Sequence, residues 1–288
     1  MVTVGFIGTG LMGSPMAERL LAAGFSVIAY NRTQAKLEPL SNTGATIAQS
    51  PVEVLQQADC VLLMLTDAAA IQAVLLAPDT QAVLSGRTII QMGTIAPDES
   101  CAIAAAVEAV GGDYLEAPVL GSIPEAQAGK LIVMVGSSPE QFQRWSQLLQ
   151  QLGPEPLLIG EVGKAAALKL ALNQLISSLT TAFALSLGFV MRQGVDVETF
   201  MSILRDSALY APTFDKKLQR MVERNYDNPN FPTKHLLKDT NLFLGAAQAA
   251  GLNVSSLEGV RAILEAAQQM NLAEEDYSAL FSAVNPQD

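Results

Sequence analysis

The feature that most constrains this chain is a glycine-rich turn between a strand-like and a helix-like segment. The stretch "VTVGFIGTGLMGSPMAERLLAAG" carries the spacing G-x-G-x-x-G in Gly8, Gly10 and Gly13. In such a turn the first glycine permits a tight bend, the second lets the backbone approach a pyrophosphate, and the third allows close helix–strand packing. The helix N-terminus then offers N–H groups and a positive dipole to the anion. We expect this loop, including Leu11 and Met12, to bind a dinucleotide; a purely structural turn is the alternative.

The second predicted strand is followed by Asn31, Arg32 and Thr33, where dinucleotide-binding folds usually carry an acidic residue. An acidic side chain there accepts hydrogen bonds from both ribose hydroxyls and repels the 2′-phosphate of NADP. Asn31 can still bond a hydroxyl, whereas Arg32 can pair with a phosphate and Thr33 can donate to it. The trio therefore predicts NADP, used as NADPH. The alternative is an asparagine helix cap beside an exposed arginine.

Aliphatic runs alternate with amphipathic helical stretches as far as Val162, which is typical of a parallel sheet covered by helices. We therefore expect an α/β Rossmann domain with a mostly parallel, doubly wound sheet. Its predicted strands are Val2–Ile7, Ser26–Tyr30, Cys60–Leu65, Thr88–Gln91, Tyr114–Val119 and Leu131–Val135, and its helices include Met12–Ala23 and Asp98–Val110.

The punctuation Gly153-Pro154-Glu155-Pro156 precedes the last predicted strand. After "EPLLIGEVGKAA" the pattern changes to long helical segments without convincing strands. This change predicts two domains, an NADP-binding Rossmann domain of residues 1–162 and an all-α substrate and oligomerisation domain of residues 163–288, with a long helix between them. The predicted helices are Ala165–Arg192, Asp196–Asp206, Thr213–Glu223, Leu236–Ala249 and Ser255–Gln269.

Composition narrows the classes of partner. A net charge of -11 argues against a nucleic-acid partner, because phosphate binding relies on a surplus of Lys and Arg. The two cysteines, Cys60 and Cys101, have no metal-ligand spacing and make a disulfide scaffold improbable, so we expect no metal site. The beginning of the chain lacks the charged region and cleavage site of a signal peptide. A cytoplasmic location is therefore expected.

The segment 170–191 holds no charged residue and is long enough to span a bilayer. Seven of its positions are polar, which favours a helix buried inside protein over a membrane partner. These positions are Asn173, Gln174, Ser177, Ser178, Thr180, Thr181 and Ser186. Because its apolar surface exceeds what one small domain can cover, we expect a homodimer or a homotetramer.

Lys169 directly precedes this segment and Asn173 lies within it. The two residues are four positions apart and so project from one face of a helix. A lysine beside an apolar stretch is costly unless it is paired or functional. A surface lysine that extends its amine to solvent at a helix start is the alternative.

Four stretches of the chain resemble known family signatures in their order and spacing: "GFIGTGLMGSPMAERL", "EAPVLGSIPEAQAGKLIVMVG", "GEVGKAAALKLALN" and "FPTKHLLKDTNL". Together they resemble the signatures of the β-hydroxyacid dehydrogenase family, and "YNRT" with "FPTKH..KD" is most similar to its glyoxylate/succinic semialdehyde reductase branch. The resemblance covers essentially the whole chain. It implies a Rossmann domain, an all-α domain and a substrate cleft between them.

The resemblance also implies residue roles. The family's catalytic lysine falls on Lys169 and its helical asparagine on Asn173. The carboxylate-binding loop falls on Val119–Ser122. The implied substrate-binding residues are Leu120, Gly121, Ser122, Phe231 and Asp239, and the cofactor set adds Met64, Leu65, Thr94 and Lys238 to the glycine loop and the trio.

These roles make chemical sense for reduction of an aldehyde that bears a carboxylate, or of an oxoacid. Hydride addition creates negative charge on oxygen, and the ammonium of Lys169 can stabilise that charge and donate the proton. Backbone N–H groups at Gly121 and Ser122 can hold the carboxylate. The chain departs from the family pattern at Leu120, where the family usually has serine, and at Gln91 and Gly93, where relatives more often have an acidic residue and a serine. The missing hydroxyl at Leu120 bears on substrate identity.

The expected activity is NADPH-dependent reduction of succinic semialdehyde to 4-hydroxybutyrate and of glyoxylate to glycolate. The first alternative is a dehydrogenase of the 3-hydroxyisobutyrate or tartronate semialdehyde type. Imine reductases share the architecture but usually carry aspartate or tyrosine at the position of Lys169. A non-catalytic NADP-binding module is the third alternative, and such proteins tend to lose the lysine.

Overall fold

The structure, a computed structural model, describes residues 2–287 and divides into two compact units after Lys169. The first unit contains all the named strands, and the second is helical. The sequence predicts the division after Val162, and this boundary stays a prediction. The two positions differ by the first turns of one long helix, Lys164–Arg192.

The first unit alternates strands with helices. Its strands are β1 (Thr3–Ile7), β2 (Ser26–Tyr30), β3 (Thr46–Ile47), β4 (Cys60–Leu63), β5 (Thr88–Gln91), β6 (Asp113–Glu116), β7 (Val119–Leu120), β8 (Ile132–Gly136) and β9 (Leu157–Gly160). Its helices are α1 (Gly13–Ala22), α2 (Glu38–Asn42), α3 (Pro51–Gln57), α4 (Ala68–Leu75), α5 (Pro78–Gln81), α6 (Pro97–Glu108), α7 (Ile123–Ala128) and α8 (Pro139–Leu149), with a 3₁₀ turn at Gln34–Leu37.

The strands form one sheet in the order β3-β2-β1-β4-β5-β6-β8-β7, and β9 pairs with β8. From β3 to β6 every pairing is parallel, in the doubly wound order that reverses between β1 and β4. In such a sheet, ligands bind beyond the carboxyl ends of the strands at the point of reversal. This edge is where the glycine turn after β1 lies.

Both faces of the sheet are buried. In β4, Cys60 and Leu62 belong to one apolar cluster with Val4 and Leu20, whereas Val61 and Leu63 belong to a second cluster on the other face. This explains why the strands read as continuous apolar runs rather than as alternating ones.

The second unit consists of the greater part of α9 and the helices that follow it. These are α9 (Lys164–Arg192), α10 (Val197–Arg205), α11 (Pro212–Glu223), α12 (Thr233–Ala249), α13 (Ser255–Gln269) and α14 (Leu280–Val284), with a 3₁₀ turn at Tyr277–Ala279. Their core includes a stacked pair, Phe183 and Phe214, with ring centroids 4.7 Å apart. The predicted fold class, a Rossmann domain followed by an all-α region with a long helix, is confirmed.

The differences from the predicted elements have local causes. The predicted strand Tyr114–Val119 is split into β6 and β7, because Pro118 has no N–H to donate to a ladder. Helix α12 begins three residues before the predicted Leu236, since Pro232 precedes it with a φ of -62°, a value that suits a helix start.

Helix α9 is buried on one side only. Within residues 2–287 it is the one helix whose length and composition would allow it to cross a membrane, and 39% of its most apolar window is buried. Leu185 and Phe189 are each 64% exposed and Leu175 is 49% exposed, whereas Ala184 and Leu187 are fully buried. The helix therefore packs one face into its unit and leaves an apolar face uncovered in the single chain.

Candidate active site

The glycine turn has the geometry that its sequence predicts. Gly8 has a φ of +98°, and a Cβ there would come 2.4 Å from the carbonyl oxygen of Met64. A Cβ on Gly13 would come 1.9 Å from the carbonyl oxygen of Gly8, so only glycine permits this packing. At Gly10, by contrast, a Cβ would meet nothing within 4 Å. The first and third glycines hold the turn together, and the second leaves open space beside the backbone.

Gly10 lies just before the start of α1, which has no side-chain cap. Among residues 2–287, the N–H groups of Gly10, Leu11 and Met12 have no hydrogen-bond acceptor. Unpaired N–H groups at a helix start carry a positive partial charge and bind anions. A dinucleotide pyrophosphate fits this cradle, which would hold it by the backbone of residues 10–12.

The side chain of Asn31 ties the glycine turn to the end of β2. Its Oδ1 accepts a hydrogen bond from the N–H of Thr9 at 3.1 Å, and its Nδ2 donates to the carbonyl oxygen of Thr33 at 2.9 Å. Asn31 is therefore not a helix cap. Each end of its amide keeps one further bonding position for a ribose hydroxyl. Arg32 and Thr33 are exposed beside it, where their donors can meet a phosphate.

The loops after β4 and β5 line the same edge. A Cβ on Gly93 would come 2.5 Å from the carbonyl oxygen of Leu65, so a serine would not fit in this backbone. Gln91 is buried, and its side-chain amide bonds the N–H and the carbonyl oxygen of Gly93. The two residues that depart from the family pattern, Gln91 and Gly93, thus form one hydrogen-bonded turn, and Thr94 follows directly after it. Met64, Leu65 and Thr94 are each half-buried at this edge.

The predicted carboxylate loop is tightly built. Gly121 has a φ of +136°, and a Cβ there would come 2.7 Å from Leu131 Cδ2. The N–H of Ser122 donates to Glu125 Oε2 at 2.8 Å, and its hydroxyl donates to the same oxygen at 2.5 Å. Both hydrogen-bond donors of Ser122, the N–H and the hydroxyl, are therefore already bonded to a neighbouring carboxylate. Leu120, half-buried in β7, supplies an apolar side chain where the family usually has a hydroxyl.

Lys169 and Asn173 lie one turn apart on α9, and both are buried, with exposures of 9% and 3%. Nδ2 of Asn173 donates to Asp239 Oδ2 at 2.6 Å. Because an ionised carboxylate only accepts hydrogen bonds, this contact fixes the amide with Oδ1 on the other side. Oδ1 is buried and has no hydrogen-bond partner among residues 2–287. The structure thus provides a fixed, buried acceptor one turn from the lysine.

The start of α12 carries the remaining predicted residues. Lys238 Nζ lies 2.9 Å from Asp239 Oδ1, so that carboxylate contacts both Asn173 and Lys238. Phe231 stacks on His235 with ring centroids 6.4 Å apart. Burial, and then the positive charges of Lys238 and Lys234, lower the pKa of His235 from its ordinary value of 6.5. The structure therefore groups Phe231 with His235, and Lys238 with Asp239 and Asn173.

A buried ion pair, which the sequence did not reveal, supports the segment before α12. Lys217 Nζ lies 2.7 and 2.8 Å from the two oxygens of Asp276, and 4.1 Å from the ring centre of Tyr277. The N–H of Tyr277 donates to the carbonyl oxygen of Phe231 at 3.0 Å. The pair holds the C-terminal segment that anchors Phe231. Its partners are 59 residues apart, so no local motif signals it.

A further residue that the sequence analysis missed is Glu116. It is the single charged side chain within "YLEAPVL", at the end of a buried strand, and that isolation is the signal that would have drawn attention to it. Its carboxylate is fully buried. Burial raises the pKa of Glu116, while hydrogen bonds from Ser100 and from backbone N–H groups oppose this effect.

Among residues 2–287 no group of three or more His, Cys, Asp or Glu side chains is arranged to hold a metal ion. The two cysteines are unpaired, with Cys60 buried and Cys101 exposed.

The chain matches two family models in succession. Residues 3–160 match the NAD binding domain of 6-phosphogluconate dehydrogenase, and residues 163–284 match the NAD-binding domain of NADP-dependent 3-hydroxyisobutyrate dehydrogenase. Between them the two models cover nearly the whole sequence. They support the binding of a pyridine dinucleotide.

Known relatives match over the same length. Glyoxylate/succinic semialdehyde reductase 1 of Arabidopsis thaliana is 31% identical over 283 residues, which is 98% of each chain. The chloroplastic reductase 2 of the same plant is 31% identical over 285 residues, covering 98% of this chain and 79% of the relative. Among solved structures, 3-hydroxyisobutyrate dehydrogenase of Mycobacterium tuberculosis with L-serine has a TM-score of 0.88 at 22% identity, covering 99% of both chains. This last likeness concerns the fold alone.

Proposed function

Since the chain belongs to the β-hydroxyacid dehydrogenase family of oxidoreductases, we propose that it is an NADPH-dependent reductase of small semialdehydes and 2-oxoacids. The proposed reactions convert succinic semialdehyde to 4-hydroxybutyrate and glyoxylate to glycolate, the substrate classes named in its two plant relatives. The observation that carries the proposal is the buried lysine of α9 with a fixed amide acceptor one turn away.

Lys169 acts as the general acid in this proposal. When bound, the cofactor supplies a hydride to the carbonyl carbon, and negative charge develops on the carbonyl oxygen. The ammonium of Lys169 stabilises this charge and delivers a proton to the oxygen, which gives the hydroxyl of the product. Low exposure of the lysine strengthens the interaction, because charge stabilisation is larger where water is excluded.

Asn173 orients the reacting group. Its free Oδ1 accepts a hydrogen bond from the substrate or from the lysine ammonium, and the contact with Asp239 fixes the amide in that orientation. A buried acceptor without a donor destabilises the chain, so a donor from the substrate relieves this cost. The contact of Lys238 with Asp239 keeps the carboxylate from being an isolated buried charge.

The preference for NADPH over NADH is proposed from the end of β2. An exposed arginine and threonine follow Asn31, and no carboxylate stands there to repel a 2′-phosphate. A guanidinium binds a phosphate with two parallel hydrogen bonds, which a lysine cannot do. Arg32 is the main determinant in this proposal, and Thr33 adds a hydroxyl donor.

In this proposal the loop Val119–Ser122 binds the substrate carboxylate, and the N–H of Gly121 is its main hydrogen-bond donor. Ser122 can serve a substrate carboxylate only if its bonds to Glu125 are exchanged. Leu120 adds apolar contact and no hydroxyl. This combination distinguishes the chain from the family pattern, and we expect it to govern which carboxylated carbonyl compound is preferred.

The proposed acid is tested by Lys169→Ala, with Lys164→Ala as the matched control, because Lys164 is an exposed lysine on the first turn of the same helix. We expect the first variant to lose about 10²–10⁴-fold in kcat, the usual contribution of general acid catalysis, and to bind NADPH as before. The control should retain the activity of the natural chain. Full activity in Lys169→Ala would contradict the mechanism.

The substrate class is tested by a panel measured in parallel with NADPH and with NADH, or with NADP+ and NAD+ for the compound that is assayed in the oxidative direction. It contains succinic semialdehyde and glyoxylate, tartronate semialdehyde, 3-hydroxyisobutyrate in the oxidative direction, and a cyclic imine. The proposal predicts the highest kcat/KM for one of the first two compounds with NADPH. Preference for 3-hydroxyisobutyrate or for the imine would replace it by the corresponding alternative. Absence of turnover with every compound would favour a non-catalytic module.

A homodimer or homotetramer is proposed from the exposed side of α9. Its apolar residues Leu175, Leu185 and Phe189 would lie against a second copy of the chain. Light scattering tests this, and a monomeric mass would refute it. A cytoplasmic location is proposed as well, and the two unpaired cysteines support it.

A further inference from the structure

Glu116 is a buried carboxylate for which the proposed reaction has no use so far. It is the last residue of β6 and lies opposite Gln91 of β5 and Gly136 of β8 in the sheet. Its exposure is 0%. A Cβ on Gly136 would come 2.5 Å from Glu116 Oε1, so the glycine makes room for this side chain. Burying a carboxylate costs free energy unless the group is well hydrogen-bonded, and burying an apolar side chain at the same position would cost less.

The carboxylate bonds the start of the helix that carries Lys169. Its Oε1 accepts hydrogen bonds from the N–H groups of Gly163 at 2.8 Å and Ala166 at 3.0 Å. These are among the N–H groups that a helix leaves unpaired at its first turn. A negative charge at this end also interacts favourably with the helix dipole. Glu116 thus caps α9 from a different element of the same unit.

From this cap to the proposed acid is one turn of helix. Ala166 and Lys169 are three residues apart, so they lie on adjoining turns of one face. The backbone between them is a continuous helix. A shift or a fraying of the first turn therefore moves the lysine with it.

The same carboxylate is also tied to the other two loops of this edge. Its Oε2 accepts a hydrogen bond from the Ser100 hydroxyl at 2.5 Å, and Ser100 lies in α6, which follows the Thr94 loop. In sequence, Glu116 is followed by Ala117 and Pro118 and then by the loop Val119–Ser122. The N–H of Ala117 donates to the carbonyl oxygen of Gln91 at 2.7 Å.

We propose that Glu116 is a positioning residue for the reduction, which fixes Lys169 relative to the Thr94 loop and to the loop Val119–Ser122 by capping α9. The inference rests on the proposed function, because it assigns Lys169 as the acid. It assigns to Glu116 no contact with substrate or cofactor. Misplacement of a catalytic group by about 1 Å costs on the order of 100-fold in rate, so a small movement of α9 is enough to be measured.

Two variants test the inference, with a control on the same strand. Glu116→Leu removes the cap and keeps the volume approximately. Glu116→Gln keeps an acceptor for the two N–H groups and removes the charge. Asp113→Asn serves as control, because Asp113 is a carboxylate of β6 whose partners are Thr88 and Gln141. We expect kcat to fall about 10- to 100-fold in Glu116→Leu and clearly less in Glu116→Gln, with an unchanged dissociation constant for NADPH. Asp113→Asn should keep kcat.

A double-variant cycle separates positioning from general stability. If Glu116 acts through Lys169, Glu116→Leu should lower kcat in the natural chain but have little further effect on the residual rate of Lys169→Ala. An equal loss in both backgrounds would show a merely structural role and would overturn the inference. So would an unchanged kcat in Glu116→Leu.

Amide hydrogen exchange gives a readout that does not depend on activity. The N–H groups of Gly163 and Ala166 should exchange faster in Glu116→Leu, while amides in the middle of β4 keep their protection. If the natural chain reduces none of the carbonyl compounds, the proposed function fails and this measurement still decides whether Glu116 holds α9. Unchanged protection at both positions would refute the cap itself.

Discussion

Replacing Lys217 by methionine should cost the second unit a large part of its stability. Methionine keeps the length of the side chain and removes the ammonium. Among residues 2–287, the side chain of Asp276, which is 0% exposed, would then keep as donors only the N–H of Ser278 at 3.1 Å and the Ser278 hydroxyl at 2.7 Å. Removing one partner of a buried ion pair typically costs about 3–5 kcal/mol, because the remaining charge stays buried without compensation. Total stabilities of about 5–15 kcal/mol make this a large fraction.

Urea unfolding at constant pH measures this loss. Far-UV circular dichroism follows the helices of both units, whereas the single tryptophan, Trp145 in α8, reports on the first unit. The midpoint seen by circular dichroism should fall in Lys217→Met, and the tryptophan transition shows whether the first unit follows. Lys216→Met is the matched control, because Lys216 is the exposed neighbour on α11.

A second variant tests the reason for the loss. Lys217→Met combined with Asp276→Asn removes both charges of this pair, so it should recover part of the stability lost in the single variant. A loss below about 1 kcal/mol in Lys217→Met, the usual value for an exposed ion pair, would refute the reasoning. Failure of the double variant to recover any stability would show that the missing contact with the Tyr277 ring, rather than the unpaired carboxylate, dominates.

Two further predictions concern the cofactor and pH. Arg32→Ala should raise the KM for NADPH about tenfold and leave the KM for NADH unchanged, because only NADPH has the 2′-phosphate; steady-state kinetics with both cofactors checks this, and equal effects on both would contradict it. His235 has a folded pKa below 6.5, so the unfolded chain takes up its proton first and stability falls as pH drops below about 6.5. His235→Asn should flatten this part of the stability profile, and an unchanged slope in urea titrations at several pH values would exclude His235 as its cause.

The sheet could be predicted from local sequence because its strands are buried on both faces. Thr88–Gln91 and Ser26–Tyr30 were predicted with their observed bounds, since each is a short apolar run with clear ends. The split at Pro118 was missed because a run of apolar residues conceals the absent N–H of proline. The short helices Ile123–Ala128 and Pro139–Leu149 begin at capping boxes that the apolar pattern does not reveal.

The glycine turn and the contrast between Gly10 and its two neighbours could also be predicted, because they follow from local backbone geometry. Contacts across long sequence separations could not. The bond from Asn31 to the turn, the bonds from Glu116 to α9 and the pairing of Asn173 with Asp239 span 22 to 66 residues. Each depends on how elements pack, and a single sequence gives no distance between elements.

The hydrogen bonds between Ser122 and Glu125 bear on how the loop Val119–Ser122 can bind a carboxylate. In the proposed function, a substrate carboxylate that binds Ser122 has to exchange with a carboxylate that is already attached to the chain. An attached competitor acts at a high effective concentration and is never diluted. The affinity of the loop is then set by the difference between two similar contacts. If the loop binds substrate as proposed, Glu125 is thus an intramolecular competitor for the Ser122 donors, and a substrate carboxylate binds there only when its contacts are the stronger ones.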